Sequence, residues 1–175
     1  ANFTGGIEGQ EGATAANAGT VIVTGTSNAV VLSDLNVQVA DGAVLSVAGN
    51  KFGVTDGFDP FALSGAGALK ITTTDVILNS TTPVIGTATL TIDDSITVSV
   101  AATDFATAIT SDTIDGKGTL KFTGNGTANI FSAGEDAATF GDKLHIAVDT
   151  GATVNIGDVD ALKTWVDQAA PNSIS

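Results

Sequence analysis

Short runs of alternating apolar and polar residues fill most of this chain. The clearest, LNVQVADGAVLSV from Leu35 to Val47, sets every second residue apolar on both sides of Asp41-Gly42. A period of two is the signature of a half-buried strand, and Asp-Gly between two such runs is a tight-turn signal. The arrangement recurs as LTIDDSITVSV from Leu90 and LHIAVDTGATVNI from Leu144, so that Leu35 to Leu90 is 55 residues and Leu90 to Leu144 is 54. A second kind of half-unit lies between these copies: GAGALKITTTDVIL at 65–78 and GKGTLKFTGNGTANIF at 116–131, with AGTVIVTGTSNAVVL at 18–32 as a third version. Gly67, Leu69, Lys70 and Thr72 map onto Gly118, Leu120, Lys121 and Thr123 at a constant offset of 51, and Val47 and Phe52 onto Val100 and Phe105 at 53. The chain is an internal repeat that begins on a second half-unit and ends on a first.

Units that recur at a fixed period bury their apolar faces against each other. The fold class expected is all-β, a β-solenoid-like stack of about six half-repeats with short helices, each half-unit of roughly 24 residues forming one coil. The alternative is an antiparallel β-sandwich or jelly roll of about twelve strands, with a hairpin at each Asp-Gly. Uneven spacing counts against a strict solenoid, because Leu35 to Leu69 is 34 residues and Leu69 to Leu90 is 21. Scarce aromatic and abundant small residues count for it. A short helix is expected about 158–170, with Asp158 as N-cap, Val159, Leu162 and Val166 on one face and Pro171 ending it. Weaker helical candidates are 101–109 and 133–140. By position, Leu162 corresponds to Phe105 and Phe52.

Residues 1–18 carry only Ile7 and Phe3 as large apolar residues. They read as a flexible N-terminal arm and a candidate donor strand, ahead of a single all-β repeat domain over 19–175. Composition narrows the partners. There are 19 acidic residues against 6 basic ones, all lysine, for a net charge of -13. Such a surface repels phosphate backbones and anionic lipid, so neither nucleic acid nor membrane insertion is expected. With 43% apolar residues the chain is too hydrophobic for disorder, and with no Cys it has neither a disulfide framework nor thiolate chemistry. No apolar run is long enough to span a bilayer, and no signal peptide is visible.

The L-x-V-x-V strings at Leu35–Val47 and Leu144–Ile156, together with GxGxLKF followed by TGNGTANI, resemble the repetitive surface proteins of bacteria: S-layer proteins, large adhesins and autotransporter passenger domains. The likeness covers roughly 19–156, and the acidic, Arg-free and Cys-free composition fits it. What the resemblance implies is a secreted or cell-surface structural role in self-association, often with bound calcium. It carries over no catalytic residue.

Calcium is the one ion the residues argue for, because closely spaced Asp in Gly-rich loops supply the oxygens it needs. The metal candidates are Asp56 and Asp59 in TDGFDP and Asp112 and Asp115 in SDTIDG, with Asp158 and Asp160 behind them; turn-making and solvated Asp are the competing explanation. A glycosidase needs paired carboxylates across a cleft floored by aromatic rings, and the only Trp is Trp165 with no Tyr. His145, the sole histidine, alternates with Leu144 and Ile146 and reads as an outward strand residue, not a base. No enzyme is expected. Asn2, Asn79 and Asn125 begin N-x-[ST] acceptor patterns. The functional expectation is a secreted structural protein that self-assembles into an extracellular filament or surface layer by edge-strand pairing, its partners copies of itself and surface glycans. The alternative is a non-polymerising adhesin or a virus decoration or tail module.

Overall fold

Every strand pairing among the described residues is parallel. The structure is a computed structural model describing residues 7–10, 12–29, 31–53, 57–78, 85–110, 113–131, 139–141, 143–167 and 173–174. It is a β-solenoid, and the hairpins of the sandwich alternative are absent among these residues. Asp41-Gly42 turns a corner between two sheets; it does not fold a strand back on its neighbour.

The coil is triangular, and the chain visits its sides in a fixed order. Side one is six strands deep, hence five turns: Ser27–Ala29, Val44–Ala48, Ala68–Thr72, Thr89–Ile92, Thr113–Gly116 and Thr139–Phe140. Side two begins with Ile7–Glu8, Leu32–Ser33 and Phe58–Asp59 and continues in Val76–Leu78, Thr97–Ala101, Thr119–Thr123, His145–Val148 and Ser173–Ile174. Side three runs through Thr20–Val23, Asn36–Val39 and Ala62–Ser64, is carried on by single bridges at Ile85 and Ile109, and ends in Gly126–Ile130 and Ala152–Ile156.

Inside the triangle the alternation does what the sequence requires. Leu45, Leu69, Leu90 and Ile114 stack in one column of side one, and Val98, Leu120 and Ile146 in one of side two, all essentially inaccessible to water. Each such side chain contributes about 1.5–3 kcal/mol by leaving water. Their spacings, 24, 21 and 24 residues on side one, give the true length of a coil.

The coil is thus shorter than half of the 54–55-residue repeat, and the mismatch organises the molecule. Two coils plus one side make one repeat. The first copy therefore turns the corner from side three to side one (36–39 into 44–48), the second from side one to side two (89–92 into 97–101), and the third from side two to side three (145–148 into 152–156). In each copy the residue entering the corner hangs on the coil below by its amide: Ala40 on Val23 O (2.8 Å), Asp93 on Ile71 O (3.1 Å) and Asp149 on Phe122 O (2.9 Å). The uneven spacing seen in the sequence follows directly. Leu69 and Leu90 are stacked neighbours on side one, whereas Leu35 precedes a side-three strand and lies on a different side.

A helical turn follows the outgoing strand of all three copies: the 3-10 turn Gly49–Lys51, the helix Phe105–Ala108 and the helix Val159–Asp167. The two buried aromatics at these points each meet a ring, Phe52 against Phe58 at 5.3 Å between centroids and Phe105 against Phe122 at 5.1 Å. Asp158 caps the last helix as the sequence indicates, accepting the amides of Asp160 (2.9 Å) and Ala161 (3.0 Å) on Oδ1. Its buried face is different from the expected one. Leu162 and Trp165 face the core, while Val159 and Val166 are exposed. The helical candidate at 133–140 lies largely outside the described residues, of which Thr139–Phe140 is strand.

At the corners the copies differ in one informative way. Gly42 and Gly151 hold φ of 70° and 92°, and the residue at the same place in the second copy is Ser95, at φ 64°. Likewise Gly124 (φ 75°) is matched by Thr73 (φ 69°). A Cβ in this left-handed region costs about 1–2 kcal/mol, partly offset by the greater unfolded-state entropy of glycine. Ser95→Gly and Thr73→Gly are each expected to stabilise the fold by about 0.5–1 kcal/mol, the β-branched Thr73 site gaining more. Chemical denaturation checks this, and a loss of stability in both variants would contradict it.

Candidate functional site

The acidic loops come first, because the sequence points to them. Asp56 and Asp112 lie outside the described residues. Asp59 is exposed at the end of Phe58–Asp59 on side two, and Asp115 is exposed on side one, where its Oδ1 accepts the Gly116 amide at 2.6 Å. The two Asp thus lie on different sides of the triangle and are not structural counterparts: Asp115 stands where the preceding copy has Ser64, each just before a glycine, Gly116 and Gly65, with φ of 116° and 113°. Among the described residues no group of three or more His, Cys, Asp or Glu side chains converges as a metal cage. Asp158 is committed to its helix cap. Asn125 is exposed at a corner, while Asn2 and Asn79 lie outside the described residues.

His145 points outward from side two, opposite to the fully buried Leu144 and Ile146, and stacks in register between Thr119 and Ser173. Two lysines do have defined electrostatic partners. Lys70 Nζ lies 3.1 Å from Asp93 Oδ2, and Lys121 Nζ lies 3.1 Å from Asp149 Oδ2. They are the same pair in two copies, each clamping a corner to the coil beneath it. Slight burial raises the Asp93 carboxyl, but the hydrogen bond and charge of Lys70, with the Asp94 amide, more than offset this and hold it below the usual carboxylate range. For Asp149 the Lys121 hydrogen bond leads, and the direction is again down. A carboxyl depressed on folding adds stability above its unfolded pKa and loses it as pH falls through the folded one. The clamps therefore weaken on acidification. Exposed pairs of this kind are screened by solvent and contribute little to stability, so they tune the corners without making a site.

In the first copy the same two positions hold Ile22 and Ala40, and Ile22 is 57% exposed. An exposed aliphatic residue replaces a lysine at the beginning of the stack. Only comparison of the copies at the lysine position could have singled it out.

The two ends of the stack carry the remaining candidates. At the first coil, Ile7–Glu8 pairs with Leu32–Ser33 of its own chain, so this part of the N-terminal segment is a strand of side two. Thr20–Val23 pairs with Asn36–Val39, and among the described residues nothing pairs with its other edge. At the last coil the three sides are finished unequally. Over side one, Trp165 is 3% exposed, meets the Phe131 ring at a tilt with centroids 5.6 Å apart, and donates its indole N–H to Gly141 O at 2.7 Å. Side two ends in the short strand Ser173–Ile174 laid on His145–Ile146. Side three ends in Ala152–Ile156, five residues long, which among the described residues is paired on one edge only, with Gly126–Ile130, its inward Ala152, Val154 and Ile156 half-buried.

Such an edge presents a row of unpaired amide and carbonyl groups, which is a template for another strand. Among the described residues no helix is long and apolar enough to cross a membrane. Comparison of the chain with protein-family models, curated proteins and solved structures finds no match.

Proposed function

We propose that this is a secreted structural protein whose copies associate end to end through strand edges into an extracellular filament or surface layer, with no catalytic role. The observation that carries the reading is the pair of open side-three edges, Thr20–Val23 at one end of the stack and Ala152–Ile156 at the other. A head-to-tail contact between two different surfaces of one chain does not close on itself and grows a fibre. Surface glycans are secondary partners in this reading, and calcium is an ion that would bridge carboxylates.

The charge of -13 per copy opposes association. Assembly is therefore expected to be weak at low ionic strength and to rise as salt shortens the Debye length from about 30 Å at 0.01 M to about 10 Å at 0.1 M. Light scattering and electron microscopy of the pure protein across that range test this, with calcium compared against sodium at equal ionic strength. Growth of filaments or sheets supports the reading, and a calcium effect beyond screening marks bound calcium. A monodisperse monomer under every condition defeats it. The alternative, a non-polymerising adhesin or virus decoration or tail module, is favoured by one feature, the helix Val159–Asp167 that covers side one as a terminal cap.

A further inference from the structure

We infer that the contact between copies is one particular parallel strand pair, Thr20–Val23 of one copy laid on Thr153–Ile156 of the next, with Gly19 seated over the corner at 149–152. This rests on the self-assembly reading above and specifies its interface.

The chain already makes this junction twice within itself. Ala68–Thr72 lies on Val44–Ala48, and Gly67 just before it presses so closely on the corner below that an added Cβ would strike the carbonyl oxygens of Ala40 and Ala43. Thr119–Thr123 lies on Thr97–Ala101 in the same way, with Gly118 against Asp93 O and Ile96 O. The first junction is on side one and the second on side two. The next in the series falls on side three, and there, among the described residues, nothing pairs with the far edge of the outgoing strand of the third copy, Ala152–Ile156.

The strand that matches Ala68–Thr72 and Thr119–Thr123 by repeat position is Thr20–Val23. It too is on side three, and Gly19, the counterpart of Gly67 and Gly118, has nothing within 4 Å of where its Cβ would stand. Among the described residues no corner lies beneath Gly19. Beside it the chain's own segment leaves a hollow of about 160 Å³ lined by Gln10, Gly12, Ala13, Asn17, Ala18 and Gly19. Three copies, each displaced by one side, bring the pattern back to the side on which it began. A second molecule continues the stack on the same side, and on side two its Ile7–Glu8 then comes to the place that Ser173–Ile174 holds over His145–Ile146, so the junction requires one of these two-residue strands to give way.

The register follows from the internal junctions. Val44 pairs with Ala68 and Thr97 with Thr119, each the residue just after Gly67 or Gly118. Between copies this gives Thr153 opposite Thr20, Val154 opposite Val21, Asn155 opposite Ile22 and Ile156 opposite Val23. The half-buried Val21, Val154 and Ile156 then gain the cover that Leu69, Val98 and Val100 have inside the stack. The exposed Ile22 lies beside Asn155 on the outer surface.

The chain has no cysteine, which makes the test clean. Directly paired strand residues sit about 4.8 Å apart, within the range a disulfide spans. The double variant Ile22→Cys with Asn155→Cys, assembled and then oxidised, is expected to give a ladder of covalent multimers that collapses on reduction. Ile22→Cys with Thr153→Cys, two residues out of register, should give little. Filaments that form while the matched pair fails to cross-link, or cross-links no better than the offset pair, overturn this register and leave self-assembly standing; no assembly in the parent protein removes both. A second variant reads the corner. Gly19→Ala should leave the monomer as stable as before yet raise the critical concentration about tenfold or more, because the new methyl group meets a neighbour's backbone. Unchanged assembly of that variant also overturns the inference.

Discussion

Gly118→Ala is expected to destabilise the fold by about 3 kcal/mol or more, lowering its melting temperature by roughly 10 °C for a chain of this size. The reason is the closeness of successive coils at the corner. A methyl group at 118 would collide with Asp93 O and Ile96 O, which are backbone atoms, and with the Ile92 side chain. No rotamer change relieves the backbone overlaps, so the coils must separate, and with them the hydrogen bonds from Lys117 and Gly118 to Ile92 O. Gly124 offers an internal comparison. It has the left-handed φ of 75° but open space around it, so Gly124→Ala should cost only the backbone penalty of about 1–2 kcal/mol. Gly19→Ala should cost the isolated chain almost nothing, since that position is open and is not among those with positive φ. The expected order is Gly118, Gly124, Gly19. Thermal or urea unfolding of the three variants measures it, and equal losses at Gly118 and Gly19 would mean that coil contact does not set the cost.

Alternation in the sequence identified the strands because each has one face in a dry interior, and the repeat announced that such faces are covered by stacking. Both are local records: Leu45 and Leu69 are inward whatever lies elsewhere in the chain. The side on which each copy lands is not local. It depends on the residues between one corner and the next, and the stretch from Val39 round to Gly67 includes a 3-10 turn and a loop that contribute no alternation. For that reason the half-unit looked like a coil, when it is a pair of strands around a corner. The acidic loops show the same limit. TDGFDP and SDTIDG look alike as strings, yet Asp59 is on side two and Asp115 on side one, whereas true counterparts in these two copies are displaced by a single side, from two to three. Trp165 was hidden for a different reason. Its helix offers two apolar stripes, Val159-Leu162-Val166 and Leu162-Trp165, and the second wins because Phe131 and Gly141 O supply both a ring and an acceptor for the indole.

Trp165→Ala is expected to release the C-terminal helix, at a cost of about 3–5 kcal/mol in the stability of the last coil. The indole is buried between the helix and Phe131, which itself meets the Phe140 ring at a tilt with centroids 4.9 Å apart, and its N–H is bound to Gly141 O. Losing it removes the helix's principal contact and uncovers the end of side one, adding an open edge to that of Ala152–Ile156. In a stack where each coil touches only its neighbours, such damage stays near its end and unfolding proceeds inward from there. The parent protein can report the same hierarchy, because Trp165 is its only tryptophan and it has no tyrosine. Tryptophan emission should shift at a lower denaturant concentration than the loss of far-ultraviolet circular dichroism, since the first reports the cap and the second the whole stack. The Trp165→Ala variant should lose its helical signal early while the inner coils, with Phe122 and Phe105 in edge contact at 5.1 Å, unfold near the parent midpoint. Coincident transitions in the parent would mean that the cap and stack unfold as one unit, and the side-one end would then be as firm as the middle.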